Sequence, residues 1–138
     1  MSKIVNWQSN LLAKVEELAD TPFEWGVNDC VIFAAKCIDA QTGGNVSENV
    51  IGKYNSEIGC KRYMLTQFKS ADIRVAISNY LPERINPKLA SRGDVVTFEG
   101  DTGLTAGVLW ATGVWAMGPT GVVLFPINKI TITDAWRV

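Results

Sequence analysis

Cys30 is the side chain whose position in this sequence could support nucleophilic chemistry. It follows Asn28 and Asp29 and opens the apolar run CVIFAA, which predicts a buried helix starting at the cysteine. A thiol at a helix start lies among unpaired N–H groups and the positive end of the helix dipole, which favour the thiolate. Cys30 is therefore a candidate nucleophile. The alternative is that Cys30 fills the core as a small apolar side chain, as we expect for Cys37.

The sequence contains no histidine, which excludes every mechanism that needs an imidazole as base, proton shuttle or metal ligand. A thiol nucleophile normally requires such a base, or a cation that stabilises the thiolate. Asp29 and Asp94 could form a carboxylate pair. We favour structural roles, with Asp29 in the first turn of the helix and Asp94 in a turn that accepts backbone N–H bonds. The cysteine spacing matches no zinc pattern and the glycines form no phosphate loop, so we expect neither metal nor cofactor.

Composition indicates one ordinary globular domain spanning residues 1–138. The chain is 47% hydrophobic and 20% charged, with a formal net charge of -1. Because no basic surplus exists, nucleic acid is not the expected partner. No apolar run approaches the ~20 residues of a membrane span, and the amino end lacks the apolar core of a signal peptide. We therefore expect synthesis and retention in the cytosol, where the three cysteines should stay free thiols.

The first part of the chain has the periodicity of helices. Apolar side chains recur at intervals of three and four at Ile4, Trp7, Leu11, Val15 and Leu18. This amphipathic helix should stop at Thr21-Pro22. A second helix is predicted over 29–41, capped by Asn28 or Asp29 and ended by Gly43-Gly44. Since it is apolar on nearly every face, we expect it in the centre of the core.

Two shorter helices are predicted before the chain changes character. One lies near Lys61–Phe68. Another should be capped by Ser70 and carries one apolar face, formed by Ile73, Ile77 and Leu81. Pro82 and Pro87 then end a helical half that we assign to residues 1–88.

The remaining residues, 92–138, have the pattern of short strands separated by tight turns. The runs are Asp94–Glu99, Leu104–Ala111, Val114–Met117, Val122–Phe125 and Thr131–Arg137. Close spacing predicts an antiparallel meander of about five strands. Helices followed by strands in one short chain predict an α+β fold, with the helices packed on an antiparallel sheet or half-barrel.

Five short motifs follow one another in order between about Thr21 and Val138. They are PFEWGVNDCVIFAA, GKY ending at Tyr54, SRGDVVTFEG, the TAGVLWATG hairpin and the terminal AWRV. This order and spacing resemble the NlpC-type branch of the papain-like cysteine peptidases. The whole chain looks more closely like a small family of phage and prophage proteins of unknown function related to that branch. The resemblance implies a papain-like arrangement, with a central helix starting near Cys30.

When the active site of the peptidases is carried over residue by residue, this sequence keeps the nucleophilic thiol but lacks the base and the orienting residue. The nucleophile of the peptidases falls on Cys30, and their catalytic histidine, in a His-Val-Gly-Ile pattern, falls on Thr105 of Thr105-Ala106-Gly107-Val108. The third, orienting polar residue would fall near Ala116 or Met117, which are both apolar. A hydroxyl at Thr105 cannot take a thiol's proton near neutral pH. The resemblance therefore implies an enzyme's scaffold that has lost its chemistry.

The function implied by this resemblance is structural. We expect a component of a phage tail tip or baseplate, or a factor that assembles it, made in the host cytoplasm and located in the virion tail with other tail proteins. Trp25, Asp29 and Asp94 would border or support the former groove. Trp115 is the candidate interface anchor, because tryptophan is enriched at interfaces. One alternative is an active cysteine hydrolase that acts on cell-wall peptide with an unusual or partner-supplied base. Another is a non-catalytic module that still contacts peptidoglycan.

Overall fold

The computed structural model describes residues 2–138, which form four α-helices and one six-stranded sheet. The helices are α1 (Trp7–Glu17), α2 (Cys30–Thr42), α3 (Glu57–Phe68) and α4 (Ile73–Tyr80). The strands are β1 (Arg84–Ile85), β2 (Val95–Gly100), β3 (Gly103–Trp110), β4 (Gly113–Gly118), β5 (Gly121–Pro126) and β6 (Ile132–Trp136). The predicted α+β class is confirmed. In the part of the chain described, no helix is both long and apolar enough to span a membrane.

The sheet differs from the predicted meander in two ways: its last strand pairs elsewhere, and it contains one extra strand. Its strand order is β1-β6-β2-β3-β4-β5, and every neighbouring pair is antiparallel. Strands β2 to β5 form the predicted meander, but β6 returns to pair with β2. The physical reason is Trp136, which is fully buried against the cluster that joins α2 and α4 to the sheet. Pairing beside β5 would move this indole away from that cluster.

The extra strand, β1, is short and lies in the half predicted to be helical. Arg84 and Ile85 pair with Trp136 and Ala135 of β6. Two residues between Pro82 and Pro87 carry too little alternation to be recognised as a strand from sequence. The sheet therefore has six strands rather than about five.

The caps of the helices explain where they start. Asp29 caps α2 and accepts a hydrogen bond from the Ile32 amide at 3.0 Å. The prediction of Ser70 as the cap of α4 is wrong: Asp72 caps it through the Arg74 amide at 2.9 Å, while Ser70 accepts a bond from the Asp72 amide. Asp72 is favoured because its carboxylate also pairs with the Arg74 guanidinium at 2.8 Å. Helix α3 starts earlier than predicted, after the cap Ser56.

Helix α2 occupies the centre of the core, as its apolar composition predicts. Its buried residues contribute to three clusters that contact α1, the α3–α4 pair and the sheet. The other face of the sheet carries its own cluster, around Val96, Phe98 and Val114, which Ile130 and the chain near Ile85 help to cover. Both faces of the sheet are thus buried around β2, and this fixes which side each strand residue faces.

Candidate functional site

The amino end of α2 is held by a buried carboxylate. Asp29 is 1% exposed, and its Oδ2 accepts bonds from the Gly26 amide at 3.1 Å and from the Tyr54 hydroxyl at 2.6 Å. With the Ile32 amide, it therefore accepts three hydrogen bonds. A buried carboxylate is tolerated where such donors replace its hydration. Asp29 does more than complement the helix dipole, because it ties the loop before α2 to the segment that carries Tyr54.

The loop before α2 packs on that segment at very close range. Gly26 has φ +79°, and a Cβ built on it would lie 1.8 Å from the backbone oxygen of Tyr54. Only glycine combines this left-handed conformation with such an approach. Burial raises the pKa of the Tyr54 phenol far above its ordinary value, and the nearby Asp29 carboxylate adds to this rise. Tyr54 is therefore a neutral hydrogen-bond donor to Asp29 at neutral pH.

The start of α2 lies where β3 and β4 separate. These strands pair only between Val108–Trp110 and Gly113–Trp115, so the earlier part of β3 pairs with β2 alone. On the β3 side, Cys30 packs against the cluster that contains Ala106. On the β4 side, the Asn28 side-chain amide donates to the Met117 sulfur at 3.4 Å. The helix start is thus wedged between apolar side chains of two diverging strands.

The thiol of Cys30 is a poor acid in this setting. Burial raises its pKa to about 11, and the backbone N–H of Ala106, which favours the thiolate, offsets only part of that effect. The Asp29 carboxylate contributes to the same rise. Loss of hydration therefore outweighs the helix-start effect that would favour the thiolate. Cys30, Cys37 and Cys60 are all free, and burial raises the pKa of each.

Thr105 does not face Cys30. It is opposite Phe98 in the β2–β3 ladder, and a Cβ built on Gly100 would meet the Thr105 hydroxyl, so these three positions share one face of the sheet. Phe98 belongs to the cluster on the face away from α2. The Thr105 hydroxyl donates instead to the Gly103 carbonyl at 3.0 Å. The neighbouring residue Ala106 lies on the α2 face instead, where its backbone N–H lies near the Cys30 thiol and its side chain is apolar.

Asp94 lies at the opposite end of α2 from Cys30. The Gln41 side chain, one residue before the end of α2, donates to the Gly93 carbonyl at 2.9 Å. Helix α2 has 13 residues, so about 20 Å of helix separates its two ends. Asp94 is fully buried and accepts bonds from the amides of Ser91 at 2.9 Å and Val138 at 3.2 Å. It joins the entry of β2 to the carboxyl end of the chain and forms no pair with Asp29.

The two candidate tryptophans lie in different clusters. Trp25 is half-buried, meets Phe23 edge-on at 5.0 Å between ring centroids, and packs with the cluster that contains Tyr54. Trp115 stacks on Trp110 at 5.2 Å with an interplanar angle of 20°. Trp115 packs against the cluster joining α1 and α2 to the sheet, yet it remains half-buried rather than fully enclosed.

A buried charge network on β6 was not predicted. Asp134 accepts hydrogen bonds from the hydroxyls of Thr97 and Thr133, each at 2.8 Å, and pairs with Arg84; Arg74 lies 3.6 Å away. Burial alone would raise the pKa of Asp134, but the hydrogen bonds from Thr97, Thr133 and Arg84 together lower it. Arg84 and Asp134 are 50 positions apart, and no local pattern relates them. The network joins β1, β2 and β6 and presents no free base.

The arrangement around Cys30 lacks the groups that thiol catalysis needs. The thiol is protonated near neutral pH, and it packs against an apolar cluster in which Ala106 offers a backbone N–H but no base. The adjacent carboxylate, Asp29, is occupied by three donors. Within residues 2–138, no cluster of three or more cysteine or acidic side chains is arranged to hold a metal ion.

Comparison with known proteins identifies the family of the chain. A family model described as a domain of unknown function, DUF6950, matches residues 2–138. No curated protein matches the chain. Because the match covers the whole described fold, including the Cys30 end of α2 and the complete sheet, this chain belongs to the DUF6950 family.

Proposed function

We propose that this protein is a structural component of a phage tail, in the tail tip or baseplate or as a factor in their assembly. In this proposal the fold is an NlpC-like, papain-like domain that has lost its peptidase chemistry. The observation that supports the loss is the site itself: a protonated Cys30 thiol faces Ala106 in a chain without histidine. The tail location rests on the resemblance of the motifs to phage and prophage proteins.

The first consequence concerns catalysis. Purified protein should release no product from peptidoglycan or from peptide substrates above background, and Cys30→Ala should give the same trace as the wild type. The physical reason is the absence of a base that could deprotonate Cys30 and protonate the leaving group. The measurement is product release over several hours, with an active cysteine peptidase as positive control. Wild-type turnover that Cys30→Ala abolishes would contradict the proposal.

The second consequence concerns assembly, for which Trp115 is the proposed anchor. Trp115 is half-buried and stacked on Trp110, so its free edge could bury further against a partner. In tails purified from a phage that encodes this chain, wild-type protein should be present in a fixed ratio to the other tail proteins. Trp115→Ala should reduce incorporation at least about tenfold, as expected for a hot-spot residue.

The matched control for this experiment is Trp25→Ala. Trp25 is also half-buried, but it packs in a different cluster, beside Tyr54. Each variant must first be shown to be folded, because removing a packed indole costs stability at either position. Incorporation is then compared at a temperature where both variants remain native. If wild-type protein is absent from purified tails, the tail proposal fails. If Trp25→Ala and Trp115→Ala reduce incorporation equally, Trp115 is not the anchor.

A further inference from the structure

The two edges of the sheet differ in how they are protected. The β1 edge has only two residues, lies between Pro82 and Pro87, and carries Arg84, which is paired with Asp134. Short length, proline and charge are the devices by which proteins prevent an edge strand from pairing with another chain. The β5 edge, Gly121–Pro126, has six residues and no charged side chain. The β1 edge is therefore protected over its whole length, whereas β5 has only Pro126 at its end.

The free side of β5 presents unpaired backbone groups at defined residues. Gly118 and Gly121 flank the two-residue turn and are paired, so alternate residues after Gly121 direct their N–H and C=O groups away from β4. These residues are Val122 and Leu124, followed by Pro126, which has a carbonyl but no N–H. Within residues 2–138, the hydrogen bonds outside the ladders include none to Val122 or Leu124. Groups of this kind form a template for one more strand.

The side chains of β5 are apolar on both faces of the sheet. Val123 is 42% exposed on the face that carries Phe98, and Leu124 is 43% exposed on the other face, opposite Trp115. A strand added to this edge would therefore cover apolar surface above and below the sheet. A charged partner strand would bury its charges against these side chains at a cost. The chemistry of the edge selects an uncharged, apolar, extended segment.

We propose that β5 pairs with β5 of a second copy of this chain, antiparallel across a twofold axis. In this arrangement Val122 of each copy is opposite Leu124 of the other, and both residues of each pair exchange N–H and C=O bonds. The edge is self-complementary because it contains no charge to repel its copy, and a net charge of -1 adds little long-range repulsion. This proposal does not depend on the tail assignment.

The area of contact sets how far the interface must extend. Pairing of two six-residue strands falls short of the ~1,000 Å² that a specific contact buries. The interface therefore includes apolar side chains next to the edge. The exposed Ile127 (46%) and the half-buried Trp115, which is opposite Leu124 on β4, are available for it. An interface near this lower limit corresponds to a reversible dimer rather than a permanent one.

The test measures the molar mass of the full chain by sedimentation equilibrium from about 1 µM to 1 mM, the range of weak to moderate affinities. We expect a concentration-dependent monomer–dimer equilibrium. Leu124→Lys should weaken dimerisation about tenfold or more, because it places like charges close to the twofold axis. The variant should keep its native circular dichroism spectrum, since Leu124 is only partly buried. A matched control is Leu65→Lys on α3, at a side chain that is 52% exposed and far from β5 in the fold.

A charge-exchange experiment identifies the edge as the site of contact. An equimolar mixture of Leu124→Lys and Leu124→Glu should associate more strongly than either variant alone, because the two side chains at position 124 are diagonal neighbours across the axis and then carry opposite charges. A wild-type chain that stays monomeric over the whole range would overturn the proposal. So would a dimer that Leu124→Lys leaves intact, or a mixture that does not recover association. Restored association in the mixture, with Leu65→Lys behaving as wild type, supports it.

Discussion

At pH 7, Cys30 in the folded protein should react with iodoacetamide about a hundredfold more slowly than an unperturbed cysteine. The pKa of its thiol is raised from 9.0 to about 11, so the reactive thiolate is about a hundredfold rarer at any pH well below 9. The pKa of the thiol rises because burial disfavours the charged form of an acid. The rate of labelling should keep rising with pH and reach its midpoint only near pH 11. Peptide mass spectrometry assigns the label to Cys30 rather than to Cys37 or Cys60.

Two controls separate this effect from simple inaccessibility. In denaturant, Cys30 should label at the ordinary rate with an ordinary thiol pKa, because the burial is then removed. Thr105→His should leave the pH profile of the folded protein unchanged, because that side chain lies on the face of the sheet away from the thiol. A Cys30 that labels as fast as a free thiol at pH 7, with a midpoint below pH 8.5, would contradict the structure and reopen a catalytic role.

Asp29→Ala should lower the free energy of unfolding by about 3–5 kcal/mol, a large part of the ~5–15 kcal/mol typical of a domain. The substitution removes the N-cap of α2, which is worth about 0.5–2 kcal/mol. It also leaves the Tyr54 hydroxyl and the Gly26 amide buried without an acceptor, at about 1–3 kcal/mol each. Urea denaturation at pH 7, monitored by circular dichroism, measures the loss.

Asp72→Ala is the matched control, because Asp72 is also an N-cap but its side chain is 35% exposed. Water can replace the lost acceptor there, so we expect a loss of about 1 kcal/mol. Tyr54→Phe should fall between the two, because it removes one of three donors to Asp29 and leaves the cap in place. Equal losses for Asp29→Ala and Asp72→Ala would mean that Asp29 is no more than an ordinary helix cap.

Local sequence patterns predicted the helical half well where the signal was strong. The apolar run after Asp29 placed α2 in the core, and Gly43, with φ +75°, ends it as predicted. The pattern failed for α4, where Ser70 and Asp72 are both good caps by type. The second interaction of Asp72, with the Arg74 guanidinium, decided between them. The β1 strand escaped prediction because a two-residue strand is defined by its partner β6 rather than by its own sequence.

In the candidate site, too, some features could be predicted from local sequence and others depended on tertiary contacts. Cys30 could be recognised as a helix-start cysteine from its neighbours, and the absence of histidine follows from the composition alone. Tyr54 was visible only as part of a motif, since its bond to Asp29 joins residues 25 positions apart. Thr105 was assigned to the base position, but it lies on the other face of the sheet from Cys30. Sequence matching could not decide this, because a shift of one residue along a strand reverses the face on which a side chain lies.

The sequence by itself determined the α+β class, the buried central helix with a cysteine at its start, and the exclusion of imidazole chemistry. These features depend on residue type and on short-range periodicity, which the chain carries locally. Only the tertiary structure decided that β6 returns to β2, that Ala106 rather than Thr105 faces the thiol, and that β5 is left as a free edge. The tertiary structure also decided the pKa of the Cys30 thiol. A helix start favours the thiolate and burial opposes it, and the degree of burial depends on strands that lie more than 70 residues further along the chain.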